Sequence, residues 1–316
     1  MADFLTHILL CDDVINKIES RRILEGISKW RTLYRLGAQG PDLLFFYNCF
    51  PGNGKGELRE LGPAMHRHHT GAFLNEGFNR LKEVTWDDEW MKLAVYLAGF
   101  ICHFTLDRMI HPYVCWANDL WIWSMDGVPV KTTHQKVEVS LDVLLWKELR
   151  GTPAYKMRTK KMINIGKEWP ESIRAFLSDA YSDIYHIRAD KEALDKVLKY
   201  FYRGHEMLYD PRGCKKALIN WLDSFTGSGV KPPKTPYPVK QNETVDWANK
   251  KKRTWTNPFV EGEEHRESVE EILNKASFEA SNHINKVFSR ILKNEPIDDL
   301  FPDLSYITGL PCSVET

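Results

Sequence analysis

Residues 99–113 read GFICHFTLDRMIHPY, and residues 134–146 read HQKVEVSLDVLLW. In the first stretch His103, Asp107 and His111 recur at every fourth position; in the second, His134, Glu138 and Asp142 do the same. Four residues carry a helix about 40° past a full turn, so each triplet lies along one face. The neighbouring Leu93, Tyr96, Leu97, Phe100, Ile101 and Phe104 are apolar. Imidazoles and carboxylates set in so apolar a helix are unfavourable unless something pairs them. For two adjacent stripes of nitrogen and carboxylate oxygen, divalent metal ions are the simplest common partner. The expected fold is therefore all-α, a multi-helix bundle built around a di- or trinuclear metal site.

Working outward, Thr85-x-x-Asp88 resembles a capping box that opens the first ligand helix, and Pro112 is expected to end it near His111. Residues 113–131 then form a connection with Asp126-Gly127 as a turn. Thr132-x-x-Gln135 opens the second ligand helix, and Gly151 stops it. Upstream, residues 3–28 keep helical spacing through Phe4, Ile8, Leu9, Val14, Ile15 and Ile18, with Asp3 as a cap and His7 near the start. Next, glycines and prolines between Gly37 and Gly56 make loops on either side of a short apolar run. There Asp42 follows Gly-Pro, which suits either a turn aspartate or a carboxylate aimed inward. His66, His68 and His69 precede another helix. Adjacent helical positions diverge by about 100°, so at most one or two of them share a centre.

Downstream, helices are expected near 169–188, 190–209 and 215–225, with His186 and His205 in structural roles. Thr226–Val239, TGSGVKPPKTPYPV, reads as an extended strap. The basic run Lys250–Arg253 reads as a solvated face. A last helix from Ser268 to Leu292 shows an apolar stripe of Val269, Ile272, Leu273, Ala276, Ala280, Ile284, Val287 and Ile291, and should return to the first bundle. Residues 1–316 are taken as one all-helical domain.

The totals exclude several classes. Lys plus Arg (43) equals Asp plus Glu (43), so no overall charge argues for nucleic acid or an acidic membrane. The N-terminus lacks a signal-like pattern, and no stretch is read as long and apolar enough to span a membrane. Six scattered cysteines form no CxxC pair, which fits a reducing, cytoplasmic setting.

Candidate ligands before residue 140 are His7, Asp42, one of His66, His68 and His69, then His103, Asp107, His111, His134 and Glu138. Nitrogen and oxygen donors without thiolate suit Zn²⁺ first, then Mn²⁺ or Fe²⁺, and their number fits two or three ions per chain. The motifs THILL, GPDLLFFY, GFICHFTLDRMIHPY and HQKVEVSLDVLL resemble the zinc-dependent phospholipase C family, which includes bacterial phosphatidylcholine-hydrolysing phospholipase C. The N-terminal domain of glycosylphosphatidylinositol-specific phospholipase D is similar, and S1/P1-type nucleases share the trinuclear zinc site. The resemblance covers about residues 5–145. It implies one zinc held by Asp42, His66, His103 and Asp107, and a more open one held by His111, His134 and Glu138. A third would be held by His7, with Asp107 as bridge. It also implies Asp42 as catalytic base and an orienting role for Asp142 towards an imidazole. The expected activity is hydrolysis of a phospholipid or another phosphodiester by metal-activated water. Arg67 and Arg108 are candidates to neutralise phosphate. One alternative is a single-strand nuclease, for which Trp116, Trp121 and Trp123 would be stacking platforms. Another is a non-catalytic, metal-stabilised binding or regulatory protein.

Overall fold

The computed structural model describes residues 4–48, 56–83, 87–119, 122–215, 236–240 and 242–314. Its organising element is the 32-residue helix Asp88–Asp119 (here α6), preceded by α1 (Phe4–Val14), α2 (Arg21–Lys29), α3 (Arg31–Gly37), α4 (Glu57–Arg67) and α5 (Thr70–Glu83). After it come α7 (His134–Arg150), α8 (Thr159–Ile163), α9 (Glu171–Tyr185), α10 (Lys191–Leu208) and α11 (Val269–Leu292). Among the described residues strand structure is limited to two short ribbons and isolated bridges, and the fold is all-α.

The central helix runs past its proline. Pro112 cannot donate to the carbonyl of Arg108, a loss of about 3 kcal/mol or more in a helix interior. Beyond it, however, Tyr113, Val114, Trp116 and Ala117 are buried. At about 1.5–3 kcal/mol for a large apolar side chain, that burial outweighs the missing bond. The expected stop at His111 is thus overridden by packing. The connection that follows is shorter than expected and contains a hairpin, Ile122–Trp123 against Pro129–Val130, turned at Gly127. At the other end Asp87 caps the helix, its carboxylate accepting the Trp90 N–H at 2.9 Å; Thr85 lies outside the described residues.

α6 also contradicts the reading that no segment could span a membrane. By length and composition it qualifies, with a window of mean hydropathy 1.4, but 89% of that window is buried inside the protein. His103, Asp107, Arg108 and His111 interrupt the apolar run of α6 without bringing its mean hydropathy below that value.

The helix expected over residues 3–28 divides. α1 gives way to a 3-10 turn at Ile15–Lys17, and Ser20 starts α2 by accepting the Ile23 N–H. The β-branched run Val14, Ile15 and Ile18 holds a helix poorly, while Ser20 offers a new N-cap. α3 crosses α6 at backbone distance. A Cβ on Gly37 would lie 2.1 Å from the Tyr96 carbonyl oxygen, and one on Gly99 2.0 Å from that of Tyr34.

For α7 the cap is Thr133, one residue after the expected Thr132: its side chain accepts the Lys136 N–H. The helix ends at Gly151 in the left-handed conformation, as read from the sequence. α9 and α10 match the expected helices; the one expected over 215–225 falls almost wholly outside the described residues, as does most of the strap. α11 opens with a capping box on Ser268 and Glu271, and every residue of its predicted stripe is buried. It packs against α1 and α6, returning the C-terminal part to the first bundle. The final segment folds over the same end: Asp303 accepts the N–H groups of Gly71 and Ala72, and Tyr306 N–H donates to the His66 carbonyl at 2.8 Å.

Candidate metal centre

Three elements bring the first set of donors together. α6 supplies His103 and Asp107 on one face. His66 sits in the last turn of α4, and its Nδ1–H donates to the Gly62 carbonyl at 2.7 Å, so Nε2 faces inward. Asp42 lies in the 3-10 turn Gly40–Phe46. Gly40 has φ +50°, and a Cβ there would stand 2.2 Å from Cδ2 of His103. Only glycine lets this turn press against the imidazole and carry Asp42 to its side. Of the three clustered imidazoles, His66 is buried, while His68 and His69 are exposed.

The distances have a common scale. Donors around a tetrahedral zinc with bonds of about 2.0–2.1 Å stand about 3.3 Å apart. His66 Nε2 is 3.2 Å from Asp42 Oδ1 and 3.7 Å from Asp107 Oδ2, and His103 Nε2 is 3.3 Å from Asp107 Oδ2. On the other side of Asp107, His7 Nε2 is 3.2 Å from Oδ1. A second set lies next along α6: Glu138 Oε1 is 3.0 Å from His134 Nε2 and 3.8 Å from His111 Nε2. The donor atoms of Asp42, His66, His103 and Asp107, and those of His111, His134 and Glu138, each lie within 4.8 Å of one another and could hold a metal ion.

Burial separates the two sets. The first is closed to solvent, whereas the side chain of His134 is 36% exposed and that of Glu138 11%. The second set is the open one. His111 is fixed by an Nδ1–H that meets the carbonyls of Tyr306 at 2.7 Å and Asp107 at 3.1 Å, leaving Nε2 to face Glu138. Such backbone acceptors set the tautomer of metal-bound imidazoles.

The site's electrostatics call for a cation. Buried polar atoms with no hydrogen-bond partner crowd into it: both ring nitrogens of His7 and His103, Nε2 of His66 and His111, Oδ1 of Asp42 and both oxygens of Asp107. Leaving so many buried polar atoms unpaired is costly, and a positive centre among them would satisfy the carboxylate oxygens together with one lone pair of each imidazole. Burial pushes His103 down to about 4 and His111 well below its ordinary value, so both imidazoles are neutral at pH 7, the form that can bind a metal. Burial opposes ionisation of Asp42 and Asp107, but the surrounding imidazoles hold both carboxyls below the usual range, Asp107 far below. On His7, burial also opposes charge, yet Asp107 beside it raises its pKa.

Other expectations are corrected. Asp142 reaches no imidazole; its oxygens accept the N–H groups of Leu5 and Thr6 instead. Arg108 turns away to pair with Glu279 on α11 and lies over the Phe104 ring, so it is not placed for phosphate, and Arg67 is exposed. Trp116 is buried against Tyr113 and Trp255, which makes it core and no platform; Trp121 lies outside the described residues. The structural reading of His205 and His186 stands uncorrected: His205 is buried between Phe4, Phe46 and Phe201, with Nδ1 at 3.0 Å from Thr159 Oγ1, and His186 ends α9 in the left-handed conformation. Two supports were not anticipated. Gly40 read only as a loop glycine, and Tyr306 acts through its backbone from a region without any spacing signal.

Residues 6–210 match the family model described as zinc dependent phospholipase C, a span that contains all eight candidate ligands. No curated protein matches the chain, and no solved structure does.

Proposed function

Because the chain belongs to the zinc-dependent phospholipase C family, we propose that it hydrolyses the phosphodiester of a phospholipid with metal-activated water. The observation that carries this reading is the pair of donor sets, one closed and one open, spaced as zinc ligands and adjoining along α6. The residues fit zinc: imidazole and carboxylate only, with the orphaned lone pairs turned towards one another. Asp42, His66, His103 and Asp107 would hold one ion, His111, His134 and Glu138 a second, and His7 with Asp107 a third. Bound zinc would supply a Lewis acid for the phosphoryl oxygens and a water whose pKa is brought to about 7.

Each residue then has a part of its own. His134, the exposed ligand, marks where a phosphoryl group enters. Asp42 is held ionised despite its burial, and its Oδ1 has no hydrogen bond, so it is the group assigned to take the proton of the attacking water. Gly40 and the carbonyls of Gly62 and Tyr306 keep the ligands aimed, so little reorganisation is needed when charge develops.

The test has three arms after measurement of zinc content: release of phosphorylated headgroup from lecithin, cleavage of single-stranded DNA, and turnover of bis-p-nitrophenyl phosphate. Headgroup release without DNA cleavage supports the proposal. Cleavage of DNA alone moves the activity to the nuclease reading. Full zinc with no turnover on any phosphodiester leaves a metal-stabilised binding protein.

A further inference from the structure

We propose that Asp142 is a positioning residue, whose carboxylate fixes the start of α1 and thereby sets His7 against Asp107. Occupancy of the third cation position would then depend on α7. The proposal rests on the zinc reading above and adds to it a determinant of one particular ion.

His66 and His111 are each oriented by an Nδ1–H bonded to a backbone carbonyl. His7 is not: neither ring nitrogen has a hydrogen-bond partner, and the ring's fixed neighbours are His103, stacked at 4.5 Å, and Asp107. What aims His7 is therefore the backbone of α1. The first N–H groups of a helix have no acceptor within it. Here Asp142 supplies one, with Oδ2 accepting Leu5 N–H at 2.8 Å and Oδ1 accepting Thr6 N–H at 2.7 Å. Thr6 Oγ1–H donates to Oδ1 at 2.6 Å, and Tyr237 O–H to Oδ2 at 2.5 Å. These donors, four among the described residues, meet on one buried carboxylate at the positive end of a helix dipole and make a rigid clamp. Leu5 and Thr6 immediately precede His7. Asp142 lies one turn beyond Glu138 on α7, so the helix that serves the open ion also docks the helix of the third.

The experiment measures zinc per chain and the affinity of each ion by competition with a chromophoric chelator, in wild type, Asp142→Asn, His7→Ala and the double variant. In Asp142→Asn one ion is expected to bind about 10- to 100-fold more weakly, as when outer partners of metal ligands are removed, with the other ions unchanged. A purely structural role would not single out one ion. The same ion should be lost in His7→Ala, and the double variant should lose no further ion. Wild-type affinities throughout in folded Asp142→Asn, or equal weakening of every ion, would overturn the proposal. If Asp142→Asn does not fold, Thr6→Val and Tyr237→Phe each remove one donor and should weaken that same ion to a lesser degree; no change in either would refute the clamp. A wild-type protein without zinc overturns the zinc reading itself. A wild type whose zinc affinities are untouched by His7→Ala overturns this proposal alone.

Discussion

Replacing Gly40 by alanine should damage the closed ion site from outside its ligand set. The new Cβ would stand 2.2 Å from Cδ2, 2.3 Å from Cγ and 2.7 Å from Nε2 of His103, where ordinary contact begins at 3.4 Å. Ring or turn must therefore move by about 1 Å, five times the ±0.2 Å tolerance of a metal–ligand bond. Overpacking of this kind costs about 1–3 kcal/mol, and the left-handed φ of +50° adds about 1–2 kcal/mol for alanine. For a chain of 316 residues the total, about 2–5 kcal/mol, corresponds to a fall of roughly 3–8 °C in Tm. Gly151→Ala is the control: its φ is +67°, but a Cβ there meets nothing within 4 Å. It should show the backbone cost alone and keep its zinc. Zinc content by plasma mass spectrometry and thermal melts with and without added zinc decide the matter. If Gly40→Ala holds wild-type zinc and melts within a degree or two of wild type, the geometric argument for this turn is wrong.

Glu138→Gln or His134→Ala should empty the open position, leave the closed one filled, and lower kcat by at least about 100-fold; equal loss of all zinc would show that the two sets are not separable. For Arg108→Ala the expectation is a stability loss of about 1–3 kcal/mol with KM unchanged, because the guanidinium ties α6 to Glu279; a raised KM would return Arg108 to the phosphate. The metal-free protein should lose stability on acidification from pH 7 to 5. His103, pushed down to about 4, and His111, held well below its ordinary value, stay neutral in the fold while their unfolded counterparts take up protons below about 6.5. Each contributes up to about 1.4 kcal/mol per pH unit, and the raised pKa of His7 offsets part of this by favouring the fold at low pH. Melting of chelated protein across that range checks the sign: a Tm that rises as pH falls contradicts it.

Much of this centre was legible because helical periodicity turns spacing into geometry. His103, Asp107 and His111 needed only a helix to share a face, and so did His134 and Glu138. The α11 stripe could be read for the same reason. Where packing competes with a local rule, the local rule lost: Pro112 reads as a stop, yet the apolar residues after it are worth more buried. Ser20 won the opposite contest, since its cap breaks a run that periodicity would have continued. Caps shift by one residue when two threonines adjoin, as with Thr132 and Thr133. Asp142 shared the spacing of true candidates, and only the fold shows that its neighbours are backbone amides. Tyr306 lay beyond any reading, because a carbonyl acting from the far end of the chain leaves no mark in residue type.

A rod graduated in amino acids sets the spacing of the two donor sets. His103 and His111 are eight residues apart on unbroken α6, about 12 Å along its axis. Changes in the connections that flank α6 leave that interval as it is. One residue added or removed between 104 and 110 would swing His111 through about 100° and strand its partners on α7. Substitutions along α6 that keep its length therefore preserve the spacing of the donors, whereas an indel inside the helix destroys it.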